Sequence, residues 1–134
     1  MIPTPPRPIL IVEDDPDIRQ MLVALLQGEG HAVVTADNGR QAFDMARAHH
    51  PALILLDLMM PIMTGQEFRD VQLASAEIST IPVIVVSAHY DAQRIARQMR
   101  AAACLQKPLD FDVVLHLCSH VLATGPRRPD EHTE

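Results

Sequence analysis

Tryptophan is absent from the 134 residues and aromatic side chains make up only 3% of them. The core must therefore be built from Val, Leu, Ile, Ala and Met, which suits helices layered on a sheet. Cys104 and Cys118 are the only cysteines. Two thiols in apolar settings make neither a disulfide framework nor a thiolate metal site, and the expected compartment is the reducing cytoplasm. No stretch approaches the roughly 18 consecutive apolar residues of a membrane helix. The opening MIPTPPRP lacks the apolar centre of a secretion signal. Seven histidines show neither HExxH nor Cys/His ligand spacing, which argues against a structural zinc. Net charge is −6 and the basic residues are scattered, so no direct nucleic-acid partner is expected. Neither GxGxxG nor GxxxxGK[ST] follows an apolar run, which disfavours nucleotide binding. Lysine is nearly absent: ten of the eleven basic residues are Arg and one is Lys107.

Hydrophobic residues form 48% of the chain, enough for the core of one domain. Short apolar runs alternate with segments of helical period. The runs are Ile9–Val12, a weaker His31–Ala36, Ala52–Leu56, Val83–Val86 and Ala102–Gln106. Helical segments follow each run. The first carries Ile18, Met21, Leu22, Leu25 and Leu26 and stops at Gly28 or Gly30, and the second is capped by Asp37 or Asn38 and ends near His50. A third helix carries Phe68, Val71 and Leu73, a fourth spans Asp91 to Met99, and a fifth is capped by Asp110. Unbroken runs such as LILL and VIVV indicate strands covered on both faces, hence a parallel sheet between helices. Five such units give an α/β, doubly wound (βα)5 three-layer sandwich over residues 8–122, with an N-terminal extension, 1–7, and a mobile tail, 123–134.

In open parallel sheets ligands bind beyond the carboxyl ends of the strands. Glu13, Asp14 and Asp15 follow the first run, Asp57 the third, Ser87 the fourth and Lys107 the fifth. That edge gathers several carboxylates, a hydroxyl and an ammonium. Carboxylates so crowded repel one another until a cation or a shifted pKa relieves them. Oxygen ligands without thiolate or imidazole favour Mg²⁺, for which Mn²⁺ can substitute, over zinc. Such a site suits Asp57 as a nucleophile toward phosphorus, with Ser87 and Lys107 on phosphoryl oxygens. A composition this tilted toward Arg that nevertheless places Lys at 107 suggests that a compact ammonium is required there.

The segments ILIVEDDPDIR, LLDLMMPIMTG, VIVVSA and LQKP, in this order and spacing, resemble the receiver domains of two-component response regulators over residues 8–122. The resemblance implies a flavodoxin-like, CheY-like fold with sheet order 2-1-3-4-5. It implies a phosphoacceptor at Asp57 and a metal site of Glu13, Asp14, Asp57 and the Met59 backbone carbonyl. Ser87 and Lys107 take the catalytic positions, and the Lys107–Pro108 peptide is expected to be cis. The implied function is phosphorylation by a histidine kinase or histidine phosphotransfer protein, altering binding to a downstream protein or a second copy, without small-molecule turnover. Cys104 stands where receivers usually carry Tyr or Phe, so switching depends on Ser87 and another residue such as Tyr90. His89 and Met59 occupy positions that in receivers influence how fast water reaches the aspartyl phosphate. Two alternatives are an interaction or dimerisation module with little phosphorylation switching, and an aspartate-nucleophile phosphohydrolase. The latter usually needs an acid two residues after the nucleophile, where this chain has Met59.

Overall fold

The structure is a computed structural model that describes residues 7–124. Residues 1–6 of the expected extension and 125–134 of the expected tail lie outside the described residues. Ten elements alternate: β1 (Ile9–Val12), α1 (Pro16–Gly28), β2 (Val33–Ala36), α2 (Gly39–His49), β3 (Leu53–Asp57), α3 (Gly65–Leu73), β4 (Val83–Ser87), α4 (Ala92–Gln98), β5 (Ala103–Gln106) and α5 (Phe111–Thr124). All pairings are parallel and the sheet order is β2-β1-β3-β4-β5, as the sequence implies.

The three central strands, β1, β3 and β4, are buried at every position, because alternate residues point into two separate cores. One core joins Leu10, Val12, Ile54, Leu56, Val83 and Val85 to Ala42 and Ala46 of α2, Phe68 of α3, and Ala92 and Ala96 of α4. The other joins Ile9, Ile11, Leu53, Leu55, Ile84 and Val86 to Leu22 and Leu26 of α1 and Val114, Cys118 and Val121 of α5. The two cores are the physical content of the doubly wound arrangement.

The helices start and stop for local reasons. Asp15 caps α1 by accepting from the Asp17 and Ile18 amides, and Asn38 caps α2 through the Gln41 amide. Thr64 and Glu67 form a reciprocal capping box on α3. Gly30, at φ 90°, follows α1 in the left-handed region that favours glycine, and the His31 amide turns back to the Leu26 carbonyl at 3.1 Å. His31 is thus spent on closing α1, and β2 begins at Val33 rather than at His31.

The structure adds three particulars. α5 runs to Thr124, so Ala123 and Thr124 belong to the helix and not to a tail. Arg7, placed in the extension, donates from Nε to the His50 carbonyl at 2.7 Å and from Nη2 to the Pro51 carbonyl at 2.8 Å. On α3 the buried residues include Arg69 and Gln72, whereas Val71 is exposed. Arg69 donates to the Met99 and Arg100 carbonyls beyond α4 and to Gln72, whose amide donates to the Ile78 and Ile81 carbonyls. Satisfied hydrogen bonds let these polar groups replace apolar ones.

Candidate functional site

The strand register determines which residues can meet. Val12 pairs with Leu56, and Asp57 pairs with Val86, so Glu13, Asp57 and Ser87 emerge side by side at the carboxyl edge of three adjacent strands. Ser87 pairs with Gln106, and the Lys107 amide donates to the Ser87 carbonyl at 2.9 Å, which brings Lys107 to the same edge.

The three carboxylates Glu13, Asp14 and Asp57 each offer an oxygen within 4.8 Å of the others. Glu13 is 1% exposed and Asp57 3%, while Asp14 is open to solvent. Lys107 Nζ lies 2.8 Å from Glu13 Oε1 and 3.8 Å from Asp57 Oδ2. With all three acids ionised, one ammonium leaves two negative charges uncompensated, which matches the charge of a single divalent cation. The buried Glu13 Oε1 has the Lys107 ammonium as its partner, at charge-assisted hydrogen-bond distance. Three clustered carboxylates with no sulfur or imidazole among them fit Mg²⁺ or Mn²⁺. The cluster therefore fits the expected metal, and Glu13, Asp14 and Asp57 are the side chains that could hold it.

Electrostatics singles out Asp57. Burial and a hydrogen bond to the neighbouring Glu13 carboxyl push its pKa from 3.8 up to about 7, against the opposing pull of Lys107 and the Met59 amide. The Met59 amide donates to Asp57 Oδ1 at 3.2 Å, while the Met59 side chain is exposed.

Two further residues organise the site and carry no assigned role in the sequence reading. Arg19 of α1 donates from Nη1 to the Glu13 backbone carbonyl at 2.8 Å, anchoring the loop that carries the acids. Gly65 at the start of α3 lies against the end of β3. A Cβ there would approach the Asp57 carbonyl oxygen to 2.5 Å and the Leu58 Cα to 2.9 Å, so α3 packs this closely only with glycine. A glycine after a Pro-containing loop was the available signal for Gly65; nothing in the sequence marks Arg19. Asp15 is separated from the acid pair by its role as the α1 cap.

The remaining expected residues divide. Ser87 is fully buried, and its Oγ accepts from the His89 amide at 3.0 Å. The Lys107–Pro108 peptide is cis. Cys104 is half-buried against the α2–α3–α4 core, where burial raises its thiol pKa. Tyr90 is 90% exposed and stacks on His89 with ring centroids 4.8 Å apart. In the β3–α3 loop Met60 is buried and Met63 rests on Gly39, whereas Met59 and Ile62 face solvent.

A five-stranded parallel sheet in this order, with an acidic pocket at its carboxyl edge, defines the CheY-like flavodoxin fold. The family model of the response regulator receiver domain matches residues 9–118, and the chain belongs to that family. Protein PilH of Pseudomonas aeruginosa is 34% identical over 117 residues, covering 86% of this chain and 97% of PilH. The polar-differentiation response regulator DivK of Brucella anthropi is 35% identical over 107 residues, covering 78% of this chain and 86% of DivK. Response regulator Rre1 of Synechocystis is 31% identical over 96% of this chain, which spans 57% of Rre1. Among solved structures, the chemotaxis response regulator CheY4 of Vibrio cholerae superposes with a TM-score of 0.80 at 28% identity, over 87% of this chain and 99% of that one. The fold is also shared, at 23% identity and a TM-score of 0.81, by the receiver domain of the sensor histidine kinase PA1611 of Pseudomonas aeruginosa, covering 89% of this chain and 99% of that one. In that structure a magnesium ion is coordinated in the active-site cleft. Receiver domains bind Mg²⁺ at an acidic site and interact with histidine kinases or phosphotransfer proteins and downstream targets. Among the described residues no helix is long and apolar enough to cross a membrane.

Proposed function

We propose that this receiver accepts a phosphoryl group on Asp57 from a histidine kinase or histidine phosphotransfer protein, and that the phosphorylated form binds a protein partner or a second copy differently. The observation that carries this reading is the convergence of Glu13, Asp14 and Lys107 on Asp57, which is buried. A carboxylate oxygen of Asp57 attacks phosphorus as the bond from phosphorus to the donor nitrogen breaks, and the bonding electron pair leaves with the imidazole. Lys107 Nζ is within reach of an oxygen of the incoming group, and the Ser87 hydroxyl can donate to another. The Met59 amide holds Asp57 Oδ1, which leaves Oδ2 facing Lys107. Glu13, Asp14 and Asp57, with the Met59 carbonyl, would hold Mg²⁺, which would supply charge neutralisation for the transferring group. Asp14 is the exposed ligand, so solvent and the donor reach the cluster from its side.

Receivers are signalling domains rather than small-molecule enzymes, and Met59 at the position of a general acid supports that reading for this chain. Incubation with acetyl phosphate and Mg²⁺ is expected to add the mass of one phosphoryl group to the wild type and none to Asp57→Asn. Equal labelling of Asp57→Asn would sink the assignment.

A further inference from the structure

The β4–α4 loop is tied down around one residue. The His89 backbone amide donates to Ser87 Oγ at 3.0 Å, and the Asp91 amide donates to His89 Nδ1 at 3.0 Å. The Gln106 side chain on the edge strand donates to the His89 carbonyl at 3.4 Å, and the Ala92 amide donates to the same carbonyl at 3.1 Å. The His89 ring carries Tyr90, which is 90% exposed. A single residue, through its backbone amide on one side and its ring on the other, therefore links a buried hydroxyl at the site to an aromatic ring on the surface. The half-buried Cys104 on the adjacent strand has no ring with which to make such a link.

We propose that His89 is the positioning residue through which Ser87 acts on the outer surface, with the His89–Tyr90 stack as the moving part. The proposal rests on the phosphoacceptor reading for its trigger. When the Ser87 hydroxyl turns to a phosphoryl oxygen on Asp57, its Oγ leaves the His89 amide. The loop then loses the anchor nearest the site, and the ring pair shifts with it. The acceptor on His89 is Nδ1, so its proton sits on Nε2, and the ring's position depends on the Asp91 amide.

Side-chain geometry supplies a clean test. Asparagine can place its Oδ1 where His Nδ1 sits, whereas glutamine places its oxygen one bond farther out. The Asp91 amide should exchange with solvent at nearly the wild-type rate in His89→Asn and about fivefold faster or more in His89→Gln, the effect of losing one hydrogen bond. Unchanged exchange in His89→Gln overturns the proposal in the free protein, whatever happens at Asp57.

The second arm uses the composition of the chain. Tyr90 is the only tyrosine and there is no tryptophan, so emission excited where phenylalanine does not absorb reports this ring alone. Beryllium fluoride with Mg²⁺ serves as the phosphoryl mimic, with its binding followed separately by ¹⁹F NMR. Bound mimic should change Tyr90 emission in the wild type, where the ring stack is intact, and leave it unchanged in His89→Gln. Bound mimic with no change in the wild type overturns the relay. Failure of the mimic to bind the wild type counts against the phosphoacceptor reading instead, and the exchange arm still judges His89.

Discussion

Asp57 holds its proton in the folded chain far more tightly than a free carboxyl does. Its pKa rises from 3.8 to about 7, first through burial and then through the Glu13 carboxyl beside it. Between these two values the folded state binds more protons than the unfolded state, so this group's contribution to stability falls as pH rises through that window. Below pH 4 both states are protonated and the contribution of this group vanishes. Asp57→Asn keeps the shape and removes the charge. Without divalent metal it should stabilise the fold by about 2–4 kcal/mol at pH 8 and by little at pH 4. Urea denaturation at the two pH values checks this, and an equal effect at both would show that charge is not the cause. The residues of the candidate site were legible because they stand at or just beyond the ends of short, largely apolar runs. Arg19 was not, because its role depends on a loop carbonyl that no spacing rule places.

At the scale of elements, β1, β3 and β4 could be read from their apolar runs, and β2 was read too long because His31 is used to close α1. α3 was the harder helix. Its buried face includes Arg69 and Gln72, polar residues that a hydropathy pattern assigns to solvent. Burial pulls the Arg69 pKa down to about 10, so it still carries its charge at neutral pH. The guanidinium is held by the Met99 and Arg100 carbonyls and the Gln72 side chain, and through them it joins α3 to the end of α4. Arg69→Met fills similar space but leaves these buried acceptors without their donor. A loss of about 2–4 kcal/mol of stability is expected in chemical denaturation. A variant as stable as the wild type would show that the clasp contributes nothing net. Cys104 and Tyr90 also belong to this scale. The sequence showed that the usual aromatic is missing, but the His89–Tyr90 stack is a loop geometry and appears only with the coordinates.

For the whole molecule, the sheet order and the family followed from four short segments in order, because the parallel topology forces strand ends to one edge. The same convergence makes the fold sensitive to divalent metal. Mg²⁺ at the acid cluster should raise the unfolding midpoint at pH 8, with a smaller gain at pH 5, where Asp57 is protonated and must release its proton to bind. Chelation should reverse the gain, and an equal gain at both pH values would place the metal elsewhere. The central claim concerns where the phosphoryl group goes. Phosphotransfer from a histidine phosphotransfer protein or acetyl phosphate, followed by borohydride reduction, converts an aspartyl phosphate to homoserine. Peptide mass analysis should then find homoserine at position 57 and at no other carboxylate, and only when Mg²⁺ is present; homoserine at Asp14 or another acid, with Asp57 intact, would contradict the account.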